Sequence, residues 1–333
     1  MSSQGRSKIT PSHRLDAAGR TVGHLTVPHS RNESGWGSLR VPFAVFANGT
    51  GPSVLLTGGN HGDELEGPVA LLKLIRALDI SEVRGRIIVL PALNYPALKA
   101  AQRVSPIDGG NMNRAFPGKR DGTITQQIAH FVQTEILPQV DAVLDIHAGG
   151  KTMYFSPFAT VHALDDPAEM ERALAALKAF GAPLSLVLKE LDAEGMLDTA
   201  VEALGKLFVS TELGGGGTTS PATIAIAERG IRNFLRHVGA LTGAPEPQAA
   251  PTRMIRTDDR SYLVADGPGL VEYLVELGAM VREGDVVCQI HDIDHPLSAP
   301  VLYRAGVDGM LVGRLHGGRT EIGDFLGLIG FDA

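Results

Sequence analysis

The chain has 333 residues, enough for one large domain or two, and 44% of them are hydrophobic against 20% charged, the balance of a globular protein with a packed core. A net charge of −7 without a long basic run argues against nucleic acid as the main partner, and no stretch approaches the roughly 18 apolar residues of a membrane-spanning helix. The single cysteine, Cys288, excludes an intrachain disulfide and, with a polar stretch over residues 1–20 that lacks the apolar core of a secretory signal, leads to the expectation of a cytoplasmic protein.

The first strand-like run is Val54-Leu55-Leu56, and Gly58-Gly59-Asn60-His61-Gly62-Asp63-Glu64 follows it directly. Imidazole nitrogen and carboxylate oxygen are both good zinc ligands, and a His and a Glu three residues apart at a strand exit can point at one spot. Pairs of the form H-x-x-D also occur at His13/Asp16, His162/Asp165 and His291/Asp294, but none follows an apolar run flanked by glycines. The alternative is that His61 and Glu64 cap a helix. Residues 67–78 have helical spacing, with Pro68 suited to a first turn. Residues 86–90 form the next strand.

A polar, turn-rich stretch follows, carrying Arg103 and the cluster Asn111-Met112-Asn113-Arg114. Arginine presents a planar fork that binds a carboxylate with two hydrogen bonds, and asparagine beside it adds a donor and an acceptor. Solvated surface charge is the competing interpretation of these arginines. Residues 123–137 have helical spacing. The apolar run at 142–146 then leads to a third candidate ligand, His147, and three protein ligands leave a position open for water on a catalytic zinc.

Residues 166–180 are helical, 207–210 a strand and 221–241 a long helix. Glu212 stands at the exit of that strand, before four glycines, Gly214 to Gly217. A carboxylate there can take a proton from water and return it to a leaving amine, or it can cap a helix. The glycine run is no phosphate loop, because the Walker pattern needs a following lysine. Strands alternating with helices predict an α/β fold with a mixed, largely parallel sheet flanked by helices, the candidate residues lying at strand exits.

Composition changes after residue 243. Residues 244–256 form a Pro/Ala-rich linker between an α/β part, 1–243, and a small all-β part, 257–333, with strand-like runs at 270–274, 286–290 and 310–312. Cys288 lies in one of these runs as a buried structural thiol. The glycine-turn pattern at 278–287 and 308–311 resembles a lipoyl-type β-sandwich. Lys206 is the last lysine of the chain, so a carrier role is excluded and a structural or site-covering role expected. No internal repeat stands out.

Taken together, Gly59-x-His61-Gly62-x-Glu64, Asn113-Arg114, Asp145-Ile146-His147 and Glu212-Leu213-Gly214 resemble the succinylglutamate desuccinylase/aspartoacylase family, relatives of the zinc carboxypeptidases. The resemblance covers about residues 50–240. It implies one zinc ion bound by His61, Glu64 and His147, with Glu212 as general base and then acid. It implies that Asn113 and Arg114 hold the substrate carboxylate and that Arg103 polarises the scissile carbonyl. Arg103 stands further upstream of Asn113-Arg114 than its counterpart usually does, across the insertion Ser105-Pro106-Ile107-Asp108-Gly109-Gly110. That insertion and the wording of residues 29–37 resemble the branch of the family acting on Nα-acetyl-2,4-diaminobutyrate in ectoine breakdown. The expected partner is therefore a small N-acyl amino acid, and a homo-oligomer is compatible with the family. A substrate with a cationic side chain calls for an acidic partner, with Asp108, Asp192 and Asp198 as candidates among which the sequence does not choose, each competing with a role as an ordinary loop or cap acid. The rivals are aspartoacylase- or desuccinylase-like activity, a carboxypeptidase-like peptidase and, outside enzymes, a binding module.

Overall fold

The apolar runs of the first 212 residues become four neighbouring strands, Gly85–Leu90, Ser53–Gly58, Ala142–His147 and Leu207–Glu212, lying side by side in that order and all parallel. They belong to a computed structural model that describes residues 6–188, 194–248 and 250–333. These strands are buried on both faces. Val54 and Leu56 enter one core cluster and Leu55 the other, just as Leu144 and Val143 do on the next strand. A strand covered on both faces reads as a continuous apolar run, which is why these four were visible in the sequence.

Three helices cover one face: Glu66–Ala77, Pro167–Phe180 and Pro221–His237. The helix Ile124–Phe131 and the short helix Leu197–Glu202 cover the other. Their ends follow local chemistry. The Asp166 carboxylate accepts from the backbone N–H groups of Ala168 and Glu169, Pro167 opens the helix, and Gly181 closes it in the left-handed conformation. The helix expected over 123–137 stays α-helical only to Phe131. A π-turn, Val132–Ile136, and a 3-10 turn, Leu137–Gln139, complete it, because Pro138 has no N–H for the carbonyl four residues back. The helix expected over 221–241 ends at His237.

The large sheet has 15 strands among the described residues and is more mixed than expected. Parallel pairing is confined to two blocks, the four central strands and the set Phe158–His162, Leu184–Leu188 and Arg253–Arg256. Phe158–His162 runs antiparallel to Leu207–Glu212, which reverses direction between the blocks. On the other side, Gly19–Pro28 and Ser38–Asn48 form a long hairpin, and a short connection makes such a pair antiparallel. Neither strand was legible, since polar and apolar residues share both. Phe325–Asp332 pairs antiparallel with Arg253–Arg256 and with Gly309–Leu315, so C-terminal strands continue the large sheet. A second, antiparallel sheet contains Val301–Arg304, Val286–His291, Gly269–Tyr273 and Arg319–Thr320. Cys288 is buried there. Among the described residues no helix is long and apolar enough to cross a membrane.

Candidate metal centre and active site

Register alone brings the chemistry together. His147 and Glu212 are register partners at the ends of adjacent parallel strands, and Ile146 pairs with Gly58 at the end of the next. The turn after Gly58 carries His61 and Glu64 back over these strand ends. Gly62 permits it, since a Cβ there would lie 2.0 Å from the carbonyl carbon of Ala97. Open α/β sheets place their sites at such strand exits.

His61, Glu64 and His147 are all buried, and one donor atom from each lies within 4.8 Å of the other two. The Nδ1 atoms of His61 and His147 stand 2.7 and 2.8 Å from the two oxygens of Glu64. The opposite nitrogens also face oxygens. His147 Nε2 is 2.8 Å from Asp145 Oδ2, and His61 Nε2 is 3.1 Å from Asn111 Oδ1. That Asn111 oxygen already accepts from the Asn113 backbone N–H, so it is an acceptor. A neutral imidazole has one N–H, yet each ring meets acceptors on both sides. A cation held between the two Nδ1 atoms and Glu64 would satisfy this arrangement. With Nε2–H given to Asp145 and Asn111, both Nδ1 lone pairs and Glu64 make a nitrogen-and-oxygen donor set that fits zinc, with the outer partners such ligands use.

The charges respond accordingly. Burial pushes the Glu64 carboxyl up, but the two imidazoles outweigh it and hold the group well below the usual carboxylate range. Burial disfavours the His147 cation, but Asp145 and Glu64 overcome this and raise it well above its usual value. Asp145, buried against His147, is itself held down, steadied by hydrogen bonds from Asn60 and Thr57. Glu212 behaves in the opposite way. Burial and the charge of Glu64 raise its carboxyl to about 8, with His147 and Arg103 offsetting part of the rise. Its Oε2 is buried without a hydrogen-bond partner. Behind it Glu66, accepting from Thr223 Oγ1 at 3.3 Å, is pushed by burial to about 7.

A cavity of about 370 Å³ opens over this centre, and His61, His147, Glu212, Arg103, Asn113 and Arg114 all line it. Arg103 reaches to 3.4 Å from Glu64 Oε1. Asn113 is buried, its Oδ1 accepting from Asn60 Nδ2 at 3.2 Å and from the Leu197 backbone N–H at 3.0 Å. The four glycines after Glu212 all have positive φ, and a Cβ on Gly215 would lie 2.1 Å from the Met153 carbonyl oxygen, so this is a packed turn.

Sequence reasoning assigned no part to Asp145, Asn111, Asn60 or Thr57, although an aspartate two residues before His147 in an apolar strand shares its face and is a usable signal. It also missed Tyr262, Phe325 and Leu328, C-terminal residues that wall the cavity. Of the three acids considered for a substrate side chain, Asp108 instead accepts from the backbone N–H and hydroxyl of Thr125 and fastens its loop. Asp198 lines the cavity, and Asp192 lies outside the described residues.

Residues 50–238 match the family described as the succinylglutamate desuccinylase/aspartoacylase catalytic domain. The chain is 45% identical to the N-alpha-acetyl-L-2,4-diaminobutyric acid deacetylase of Halomonas elongata, over 98% of this chain and 96% of that protein. The product-bound structure of the ectoine utilization protein EutE (DoeB) from Ruegeria pomeroyi superposes with a TM-score of 0.95 at 46% identity, covering 98% of this chain and 99% of that one. A succinylglutamate desuccinylase/aspartoacylase from Rhodobacter sphaeroides gives a TM-score of 0.94 at 39% identity, with the same shares of the two chains.

Proposed function

This chain belongs to the succinylglutamate desuccinylase/aspartoacylase family, and from that premise we propose that it is a zinc-dependent deacetylase converting Nα-acetyl-L-2,4-diaminobutyrate to 2,4-diaminobutyrate and acetate in ectoine breakdown. The observation that carries the chemistry is the pair of buried imidazoles whose nitrogens all face oxygens, beside an unpartnered carboxylate oxygen of Glu212. The substrate rests on the diaminobutyric acid deacetylase and ectoine utilization relatives.

His61, Glu64 and His147 would hold the zinc ion, which when bound lowers the pKa of water and polarises a carbonyl. Asn113 and Arg114 hold the substrate carboxylate at the cavity wall. Arg103 meets the negative charge that develops on the carbonyl oxygen as the amide carbon becomes tetrahedral. Glu212 takes the proton of the attacking water and delivers it to the nitrogen as the C–N bond breaks. With no cation present its carboxyl stands at about 8. A divalent charge beside Glu64 lowers that value and makes the base available near neutrality.

The hydrolase part is residues 1–243, and the C-terminal part, 257–333, closes the cavity, in keeping with its lipoyl-type resemblance and lack of lysine. Tyr262, Phe325 and Leu328 wall a space of about 370 Å³, suited to an acyl amino acid more than to a peptide. The test is amine release by zinc-loaded protein from Nα-acetyl-2,4-diaminobutyrate, N-acetylaspartate and N-succinylglutamate. Preference for the first is expected. Preference for an acidic substrate would keep the chemistry and overturn the substrate, and inertness toward all three would overturn both.

A further inference from the structure

We propose that Gly313, in the C-terminal part, is a positioning residue for Glu212, acting through the strand Met153–Phe155 and the glycine turn behind the base. This rests on the role given to Glu212 above and gives the C-terminal part a task beyond walling the cavity.

Glu212 is the last residue of its strand, so register fixes its Cα while the direction of its side chain also depends on the turn that follows. That turn runs from Gly214 to Gly217, all at positive φ. Glycine has the most conformational freedom to lose, so such a turn keeps one shape only where its neighbours tie it down. Glu212 Oε2 is buried without a hydrogen-bond partner and supplies no tether of its own.

The ties come from Met153–Phe155. The Phe155 N–H donates to the Gly214 carbonyl at 3.0 Å, and the Gly216 N–H donates to the Met153 carbonyl at 3.1 Å. The Gly149 N–H reaches the same Gly214 carbonyl at 3.1 Å, which joins the turn to the segment after His147. The other edge of Met153–Phe155 belongs to the C-terminal part. Phe155, Tyr154 and Met153 pair antiparallel with Gly313, Arg314 and Leu315. Hydrogen bonds of 2.8 Å from the Ser156 N–H to the Val312 carbonyl and from the His316 N–H to the Thr152 carbonyl extend the pairing. A strand of three residues thus connects a C-terminal strand to the turn of the base.

Gly313 sits where this connection is tightest. A Cβ there would lie 2.4 Å from both Cδ1 and Cε1 of Phe155. Gly313 is not among the glycines with positive φ, so the ring and not the backbone excludes a side chain. The Phe155 ring is buried, with the Phe158 ring centred 5.6 Å away and the Phe325 ring 6.3 Å away. In an interior packed this closely, an added methyl moves the backbone that carries the ring. That backbone is the one whose N–H holds Gly214. A second contact comes from outside: a Cβ on Gly216 would lie 2.9 Å from His316 Nε2, so this exposed imidazole rests on the turn.

The test uses the zinc-loaded full chain and whichever N-acyl amino acid wild type hydrolyses fastest. Gly313→Ala is expected to lower kcat about 10- to 100-fold, with KM changed by less than about 3-fold and one zinc still bound per chain. Amide hydrogen exchange over residues 213–217 should quicken in the same variant, and unchanged exchange there would overturn the proposal. A rise in KM at wild-type kcat would leave Phe155 a cavity wall alone and overturn it. So would a fall in kcat matched by lost zinc, which is general damage to the fold. Phe155→Val lacks both ring atoms, and adding it to Gly313→Ala should bring kcat to within about 3-fold of Phe155→Val alone. Absence of that rescue also counts against the proposal. Should Gly313→Ala fail to fold, His316→Ala alters only the exposed contact. A kcat about 3- to 10-fold lower, with KM and zinc kept, supports the proposal, and wild-type kcat overturns it. Wild type inert toward every N-acyl amino acid overturns the role of Glu212 and the proposal together. An active wild type whose kcat survives Gly313→Ala overturns the proposal alone.

Discussion

The two ends of the cavity are built in different ways. The His147–Glu212 end is set by register: strands buried on both faces end side by side, and their last residues supply a candidate ligand and a candidate base. The opposite wall is assembled from a short helix, a strand of the second parallel block and C-terminal strands, represented by Asp198, His162, Tyr262 and Phe325. A register cannot slip without inverting the buried faces of a strand, so the first end is rigid by construction. The second is held by packing between distant segments and can change residue by residue. One family can therefore keep a single hydrolytic chemistry while altering the amino acid it accepts.

Mutations should separate the two ends. The largest effect is expected for Glu212→Gln, which removes the proton acceptor while preserving shape. It should lower kcat by about 10²–10⁴-fold with one zinc still bound, checked by steady-state kinetics and metal analysis of the same preparation. Near-normal turnover would remove Glu212 from its assigned role.

The second effect is a pH dependence of the metal-free protein. Folding raises Glu212 to about 8 and Glu66 to about 7, both from near 4.5, and raises His147 above 6.5. For all three the folded chain binds the proton more tightly than the unfolded chain. The stability they contribute is complete below their unfolded values and is lost as pH rises through the folded ones. Thermal unfolding of metal-free protein should occur at a lower temperature at pH 8 than at pH 6, and zinc should flatten the slope. Glu64 and Asp145, both held down, act only in acid, where falling pH removes their contribution.

A smaller effect is expected for Asp145→Asn, which leaves His147 in place but weakens its orienting partner. Zinc affinity should fall about 10- to 100-fold in a competition titration, with kcat at saturating metal changed less. The smallest concerns the opposite wall. Phe325→Ala should raise KM by less than about 10-fold and leave kcat and zinc affinity alone, since it alters cavity shape and touches no ligand. A loss of metal in that variant would show the two ends to be coupled.

How much was legible follows the same division. The buried parallel strands read as apolar runs, and His61, Glu64, His147 and Glu212 stood out because each lies at or just beyond the exit of one. The hairpin of Gly19–Pro28 and Ser38–Asn48 did not: the first strand alternates in burial but carries apolar Val22 on its exposed side, and Pro42 interrupts the apolar run of the second. Asp145 was visible but given no part, although a charge in an apolar strand asks for a partner. The wall residues Tyr262, Phe325 and Leu328 were beyond reach, because nothing local in their segments says that Phe325–Asp332 pairs with strands near residues 253 and 310. Asp108 and Asp198 looked alike in sequence. Only the packing shows one fastening a loop through Thr125 and the other facing the cavity.

Calorimetric zinc titration of metal-free protein with proton counting tests whether His61, Glu64 and His147 hold one divalent ion. Asp145 and Glu64 raise His147 well above its usual value, so in the absence of metal it holds an extra proton that the ion must displace. One zinc per chain, proton release on binding near pH 6 and no tight site in His147→Ala are the expected results. Absence of tight binding in wild type, or undiminished binding in His147→Ala, would contradict this ligand set.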